Sequence, residues 1–139
     1  MRPDVPGAAG MPPRMRISTV NLSAADVPAL SGFYAALLGY AVVDDDPGWH
    51  YLRAPDGSAD GPVALSVQHE PTHLPPVWPQ TADVQQMQAH LEIRVDGDLD
   101  AALERAVSMG ARAAASQPQD DVRVCLDPAG HPFCLWVAT

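Results

Sequence analysis

Two glycines that close helices, Gly39 and Gly110, are each embedded in the same succession of signals, so the chain is written twice. Ahead of Gly39, Arg16 to Leu22 reads as a strand and Ser23-Ala24-Ala25-Asp26 as a helix start, with Asp26 as N-cap. Val27, Leu30, Phe33, Tyr34, Leu37 and Leu38 then recur at helical spacing, which makes that face a core face. Tyr40 to Val43, Trp49 to Arg53 and Val63 to Gln68 follow as strands, with Pro55-Asp56-Gly57 as a turn between the last two. The order then returns. Met87 to Val95 is a strand, Asp98 caps a helix carrying Leu99, Leu103, Ala106 and Val107, and Gly110 ends it. Arg112 to Ala115, Val122 to Leu126 and Phe133 to Val137 complete the second set, with Asp127-Pro128-Ala129-Gly130 as the turn before the last strand.

This repetition predicts an α+β fold of two strand-helix-strand-strand-strand units, 16–69 and 87–139. Residues 70–86 hold four prolines and Trp78, and are long enough to carry the chain from one sheet to the other. Residues 1–15, with four prolines, two glycines and no periodicity, read as a disordered N-terminal tail. The remainder suits one domain, since a chain of 139 residues leaves little room for two separate cores.

Charge removes several function classes. Eight arginines, no lysine and 17 acidic residues give a formal net charge of −9, which repels nucleic acid and anionic membranes. The longest apolar stretch, Ala35 to Val43, is far short of the ~20 residues of a membrane helix. Pro3, Pro6 and Gly7 break any hydrophobic signal region, so a cytoplasmic location is expected. Cys125 and Cys134 make no disulfide framework and are expected as reduced thiols. There is no phosphate-cradling loop, no dinucleotide fingerprint after a strand and no serine nucleophile elbow. His50, His69, His73 and His131 lack zinc-motif spacing and read as loop or surface residues.

The order of elements, together with Phe33-Tyr34, Leu38-Gly39-Tyr40, the run His90 to Asp96 and the run Asp127 to Phe133, resembles the vicinal oxygen chelate superfamily. That group contains glyoxalase I, extradiol dioxygenases and bleomycin-resistance proteins. The resemblance covers residues 16–139 and is closest to the uncharacterised glyoxalase-like subgroup. It implies two βαβββ units whose curled mixed sheets surround a cavity, with the helices on the outer face. It also implies a homodimer that closes the sheet edges.

Metal-dependent members of that superfamily place ligands at four points, which fall here on Thr19, near Gln68, on His90 and on Cys134. His90 alone is a strong match, because His or Gln is usual at the first point and Glu at the last. No cofactor is therefore expected; if a divalent Zn, Ni, Fe or Mn ion binds, His90, Gln68 and Cys134 are its candidate ligands. On the fifth strand Gln88, His90, Glu92 and Arg94 alternate with the apolar Met87, Ala89, Leu91, Ile93 and Val95. By periodicity alone the polar face is a solvated surface, whereas the resemblance turns it into the cavity. His90 then becomes a general base tuned by Glu92, and Glu92 and Arg94 are expected to pair. Cys134 and Trp136 should share the cavity face of the last strand, and Thr19, Asn21 and Gln68 should complete the ligand-binding set. Trp49 and Tyr51 either pack in the core or add an aromatic wall. The function expected is small-molecule binding of the glyoxalase and bleomycin-resistance kind without the usual metal site. The alternative is a metal-dependent lyase or dioxygenase of the same superfamily.

Overall fold

The computed structural model describes residues 10–55 and 61–138. Residues 1–9 of the expected tail and the Asp56-Gly57 part of the expected turn lie outside them. Residues 10–15 are exposed and belong to no helix or strand.

Unit one runs β1 (Thr19–Ala24), α1 (Val27–Leu38), β2 (Ala41–Asp46), β3 (Trp49–Arg53) and β4 (Ala64–His69). Unit two repeats it as β5 (Leu91–Arg94), α2 (Leu99–Ser108), β6 (Arg112–Ala113), β7 (Val122–Leu126) and β8 (Pro132–Trp136). Each unit forms a four-stranded sheet, ordered β1-β4-β3-β2 in one and β5-β8-β7-β6 in the other. The first strand of each unit pairs parallel with the last, and the other pairs are antiparallel.

The caps sit where the signals predict. The Asp26 carboxylate accepts from the Ala29 N–H at 3.1 Å, and Gly39 closes α1 at φ 70°. Asp98 accepts from Asp100 and Ala101, satisfying amides that have no partner inside α2. Several details differ from expectation: β1 runs Thr19–Ala24 rather than from Arg16 to Leu22, β2 continues to Asp46, and β6 stops at Ala113. Val107 is 46% exposed, so α2 packs through Leu99 and Ala106, with Ala102 and Leu103 half-buried. The fifth strand begins at Leu91 rather than Met87. In its parallel register Leu91 faces Phe133, which would set His90 beside Pro132; proline has no N–H to extend the ladder.

One buried cluster spans both units. Val27, Leu30, Phe33 and Tyr34 of α1 pack with Leu52, Leu65 and Val67 of their own sheet and with Phe133 and Leu135 of β8. The Phe33 and Tyr34 rings lie 5.8 Å and 6.1 Å from the ring of Phe133. Aromatic pairs at such distances contribute about 0.5–1.5 kcal/mol beyond area burial. The Tyr34 hydroxyl donates to the Asp127 carboxyl at 2.7 Å, and both groups are almost fully buried. The other Asp127 oxygen accepts from the Ala129 and His131 amides. Burial pushes the Asp127 carboxyl above its ordinary range against the opposing pull of His131 and these hydrogen bonds, and it raises Tyr34 as well.

Three of the remaining histidines are structural rather than free at the surface. His50 Nδ1 lies 2.6 Å from the buried Ser31 Oγ of α1. His131 Nε2 lies 2.7 Å from the Ser23 carbonyl, and His73 Nε2 lies 2.8 Å from the Ala129 carbonyl. The latter two hold the units and the intervening chain together. No helix among the described residues is long and apolar enough to cross a membrane.

Tyr34→Phe keeps the ring and strips Asp127 of its inter-unit donor. The expected loss is about 1–3 kcal/mol of unfolding free energy, read from the urea midpoint; a loss below a few tenths would show that this bond does not hold the units together.

Candidate functional site

Strand parity builds the site. On β8, Phe133 and Leu135 are buried on the helix side, so Cys134 and Trp136 project from the opposite, half-buried face. Parallel pairing sets Glu92 beside Cys134 and Arg94 beside Trp136, and antiparallel pairing brings Val124 and Val122 of β7 against the same two residues. His90 stands just before β5 and closes the end of this face. A cavity of about 400 Å³ lies over it, with Val122, Val124, Cys134 and Trp136 as floor and His90 and Glu92 along one side. Trp78 from the chain between the units and Gln119 and Asp121 from the segment before β7 complete the wall.

That connecting chain has hydrogen bonds of its own. Val77 donates to the Gln85 carbonyl, the Gln86 amide reaches the Thr81 carbonyl at 2.6 Å, and Met87 donates to Gln80. Trp78 is therefore set over the sheet by an ordered loop. Its indole Nε1 is buried without a partner among the described residues.

His90 Nε2 lies 3.0 Å from Glu92 Oε1. The expected Glu92–Arg94 pair does not form. Arg94 sits at the strand end, where Asp96 of the following turn is within 3.3 Å and the Trp136 ring centroid lies 5.7 Å from the guanidinium carbon. It lines neither this cavity nor the one between the units.

The second cavity, about 460 Å³, lies between the units, where Asn21 and Ser23 of β1 face His73, His131 and the chain from Gln85 to His90. His90 touches both spaces. Asn21 donates to Ser66 Oγ at 2.7 Å. Thr19 and Gln68 share its sheet face but line neither cavity that contains His90. Trp49 and Tyr51 stack on that sheet, 5.7 Å apart, as cross-strand neighbours of Gln68 and Ser66. The six residues His90, Glu92, Arg94, Cys134, Trp136 and Asn21 are thus near the cavities, but only four of them line the one on the second sheet.

Metal-ligating atoms of His90, Glu92 and Cys134 lie within 4.8 Å of one another. Nitrogen, oxygen and sulfur donors together suit zinc by kind, and a bound zinc would supply Lewis acidity there. The set draws on Glu92 in place of Gln68 and comes from unit two alone. Burial, and then the Glu92 carboxylate, raise the Cys134 thiol, so a cation would first have to displace its proton. Cys125, fully buried on the helix side, is pushed up to about 11 by burial and by Cys134.

Sequence reasoning had no handle on Trp78, Gln119 or Asp121, because loop residues carry no periodicity. Asp121 is positioned by its neighbour: the Arg123 guanidinium binds the Asp120 and Val122 carbonyls at 2.9 Å and 3.0 Å and reaches Asp100 at 3.2 Å.

The glyoxalase-like domain profile matches residues 19–136. A glyoxalase/bleomycin resistance protein/dioxygenase family enzyme from Burkholderia phytofirmans PsJN superposes with a TM-score of 0.68 at 20% identity, covering 90% of this chain and 100% of that one. A possible glyoxalase from Bacillus cereus gives 0.64 at 16% identity, with coverage of 88% and 99%. The bleomycin-binding protein of Streptomyces verticillus, in complex with copper(II)-bleomycin, gives 0.57 at 18% identity, with coverage of 91% and 98%. At these identities the likeness speaks for fold alone. Among curated proteins none matches the sequence.

A raised thiol is a slow nucleophile. Cys134 should alkylate with iodoacetamide at neutral pH several-fold more slowly than a free cysteine, and Glu92→Gln should speed it. Equal rates in the two proteins would mean that the carboxylate does not act on the thiol.

Proposed function

This chain belongs to the glyoxalase-like domain family of the vicinal oxygen chelate superfamily, and on that footing we propose that it binds a small organic molecule on the open face of its second sheet. The observation that carries the reading is the cavity over β5, β7 and β8, where flat apolar area from Trp136 and Trp78 meets a few convergent polar groups. Ligand pockets combine those two ingredients. In this reading Trp136 and Trp78 clasp the ligand, the His90–Glu92 pair anchors its polar group, and Val122 and Val124 shape the floor. Arg94 braces Trp136 rather than meeting the ligand. Asn21 belongs to the neighbouring cavity, and Thr19 and Gln68 take no part. The Streptomyces neighbour is itself a binding protein, which supports a binding role on this fold.

A second reading is favoured by the closeness of His90, Glu92 and Cys134: an enzyme of lyase or dioxygenase type, with His90 as base or with a divalent ion on the three donors. The binding reading needs no ion. Protein purified without chelator or nickel resin should carry well under one equivalent of divalent metal by elemental analysis; a full equivalent that is lost in His90→Ala would instead support the enzyme. Cytoplasmic residence and a homodimer complete the proposal, the latter because each sheet ends in edge strands with unpaired backbone groups.

Binding itself is checked by tryptophan fluorescence titration with a panel of small aromatic and aliphatic molecules. Trp136→Ala should weaken a bound member at least tenfold and His90→Ala several-fold. A ligand whose affinity neither substitution changes binds elsewhere.

A further inference from the structure

Resting on that reading, we infer that the ligand of this cavity is an organic cation with a flat apolar body, such as an aromatic amine in its protonated form. The charges that face the space set the sign of what it can hold. Two carboxyl-bearing side chains, Glu92 and Asp121, line it. Asp121 has no side-chain hydrogen bond or ion pair among the described residues, and Glu92 engages only one oxygen, with His90.

Among the described residues no arginine lines the cavity, and the two nearest in sequence are engaged with other groups. Arg94 turns to Asp96 and the Trp136 ring. Arg123, on the other side of β7, is spent on Asp100 and on the carbonyls of Asp120 and Val122. A free Arg94 would welcome a carboxylate instead. With Arg123 on the far side of β7 and Arg94 paired with Asp96 behind Trp136, the carboxylates of Glu92 and Asp121 are the acidic groups that line the space, and their field agrees in sign with the long-range field of a chain at −9.

The apolar surfaces act in the same direction. An indole face attracts a cation through its quadrupole; on Trp136 the Arg94 guanidinium already lies 5.7 Å from the ring centroid, so that ring offers the ligand stacking area rather than a cation site. Trp78 adds a second indole across the space, and Val122 and Val124 give a floor that repels charge but accepts a ring. A ligand with a ring over the valines and an ammonium toward Glu92 and Asp121 therefore satisfies each wall. A cavity of about 400 Å³ is at the small end of ligand sites, which fits a molecule of one or two rings.

The test uses three probes of one shape: 2-naphthylmethylammonium, 2-naphthylmethanol and 2-naphthoate. They are titrated against the full chain while the indole N–H signals of Trp78 and Trp136 are followed by NMR. The ammonium should bind at least tenfold more tightly than the alcohol, and the naphthoate more weakly than either. Glu92→Gln and Asp121→Asn should each weaken the ammonium more than the alcohol and so shrink the ratio of their affinities several-fold, and added salt should shrink it too. Equal binding of ammonium and alcohol, or tighter binding of naphthoate, with both indoles shifting, would overturn the charge assignment and leave the binding site standing. No shift of either indole with any probe would overturn the site and, with it, this inference.

Discussion

The shared use of α1 is what the rest of this fold depends on. A four-stranded sheet with one helix has too little buried area to stand alone, and here the helix of unit one serves both sheets. Phe33 and Tyr34 reach Phe133 on β8, and the Tyr34 hydroxyl meets Asp127 in the turn that precedes that strand. Asp127 in turn gathers the amides of Ala129 and His131, and the His131 ring grips the Ser23 carbonyl at the end of β1. The turn is thus shaped by the opposite unit. A buried carboxyl is tolerated there because three donors meet it; without them its desolvation would oppose the join.

From that join the site follows by parity. Because Phe133 and Leu135 are drawn into the core, Cys134 and Trp136 must face the other way, and register then lines up Glu92, Val124, Arg94 and Val122 beside them. A one-residue slip would exchange these faces and remove the cavity. The loop between the units, closed by its own hydrogen bonds, lays Trp78 over the result.

Local electrostatics then separate groups that share one strand face. His90 and Glu92 hold each other at 3.0 Å, while Arg94 is captured by a turn acid and an indole. The thiol between them stays protonated, because both burial and the neighbouring carboxylate oppose its charge. The face is thereby acidic at one end, neutral at its centre and aromatic at the other.

The sequence by itself determined the repeat, the caps and the inward stripes. These are local signals: Asp26 and Asp98 satisfy amides within a few residues, Gly39 takes a conformation other residues resist, and strand alternation separates Leu91 and Ile93 from Glu92. It also singled out His90, Glu92, Cys134 and Trp136, which do meet on one face. What tertiary structure decided was everything that depends on distance in space. Arg94 prefers Asp96 to Glu92 because the strand ends there; Gln68 belongs to the other sheet; Val107 turns outward because Ala106 takes the core position. Trp78 and Asp121 enter the cavity from segments without periodicity, placed by loop hydrogen bonds and by Arg123. Periodicity reports which side of an element is buried; which partner fills the space opposite is set by packing between elements far apart in the chain, and no local pattern encodes it.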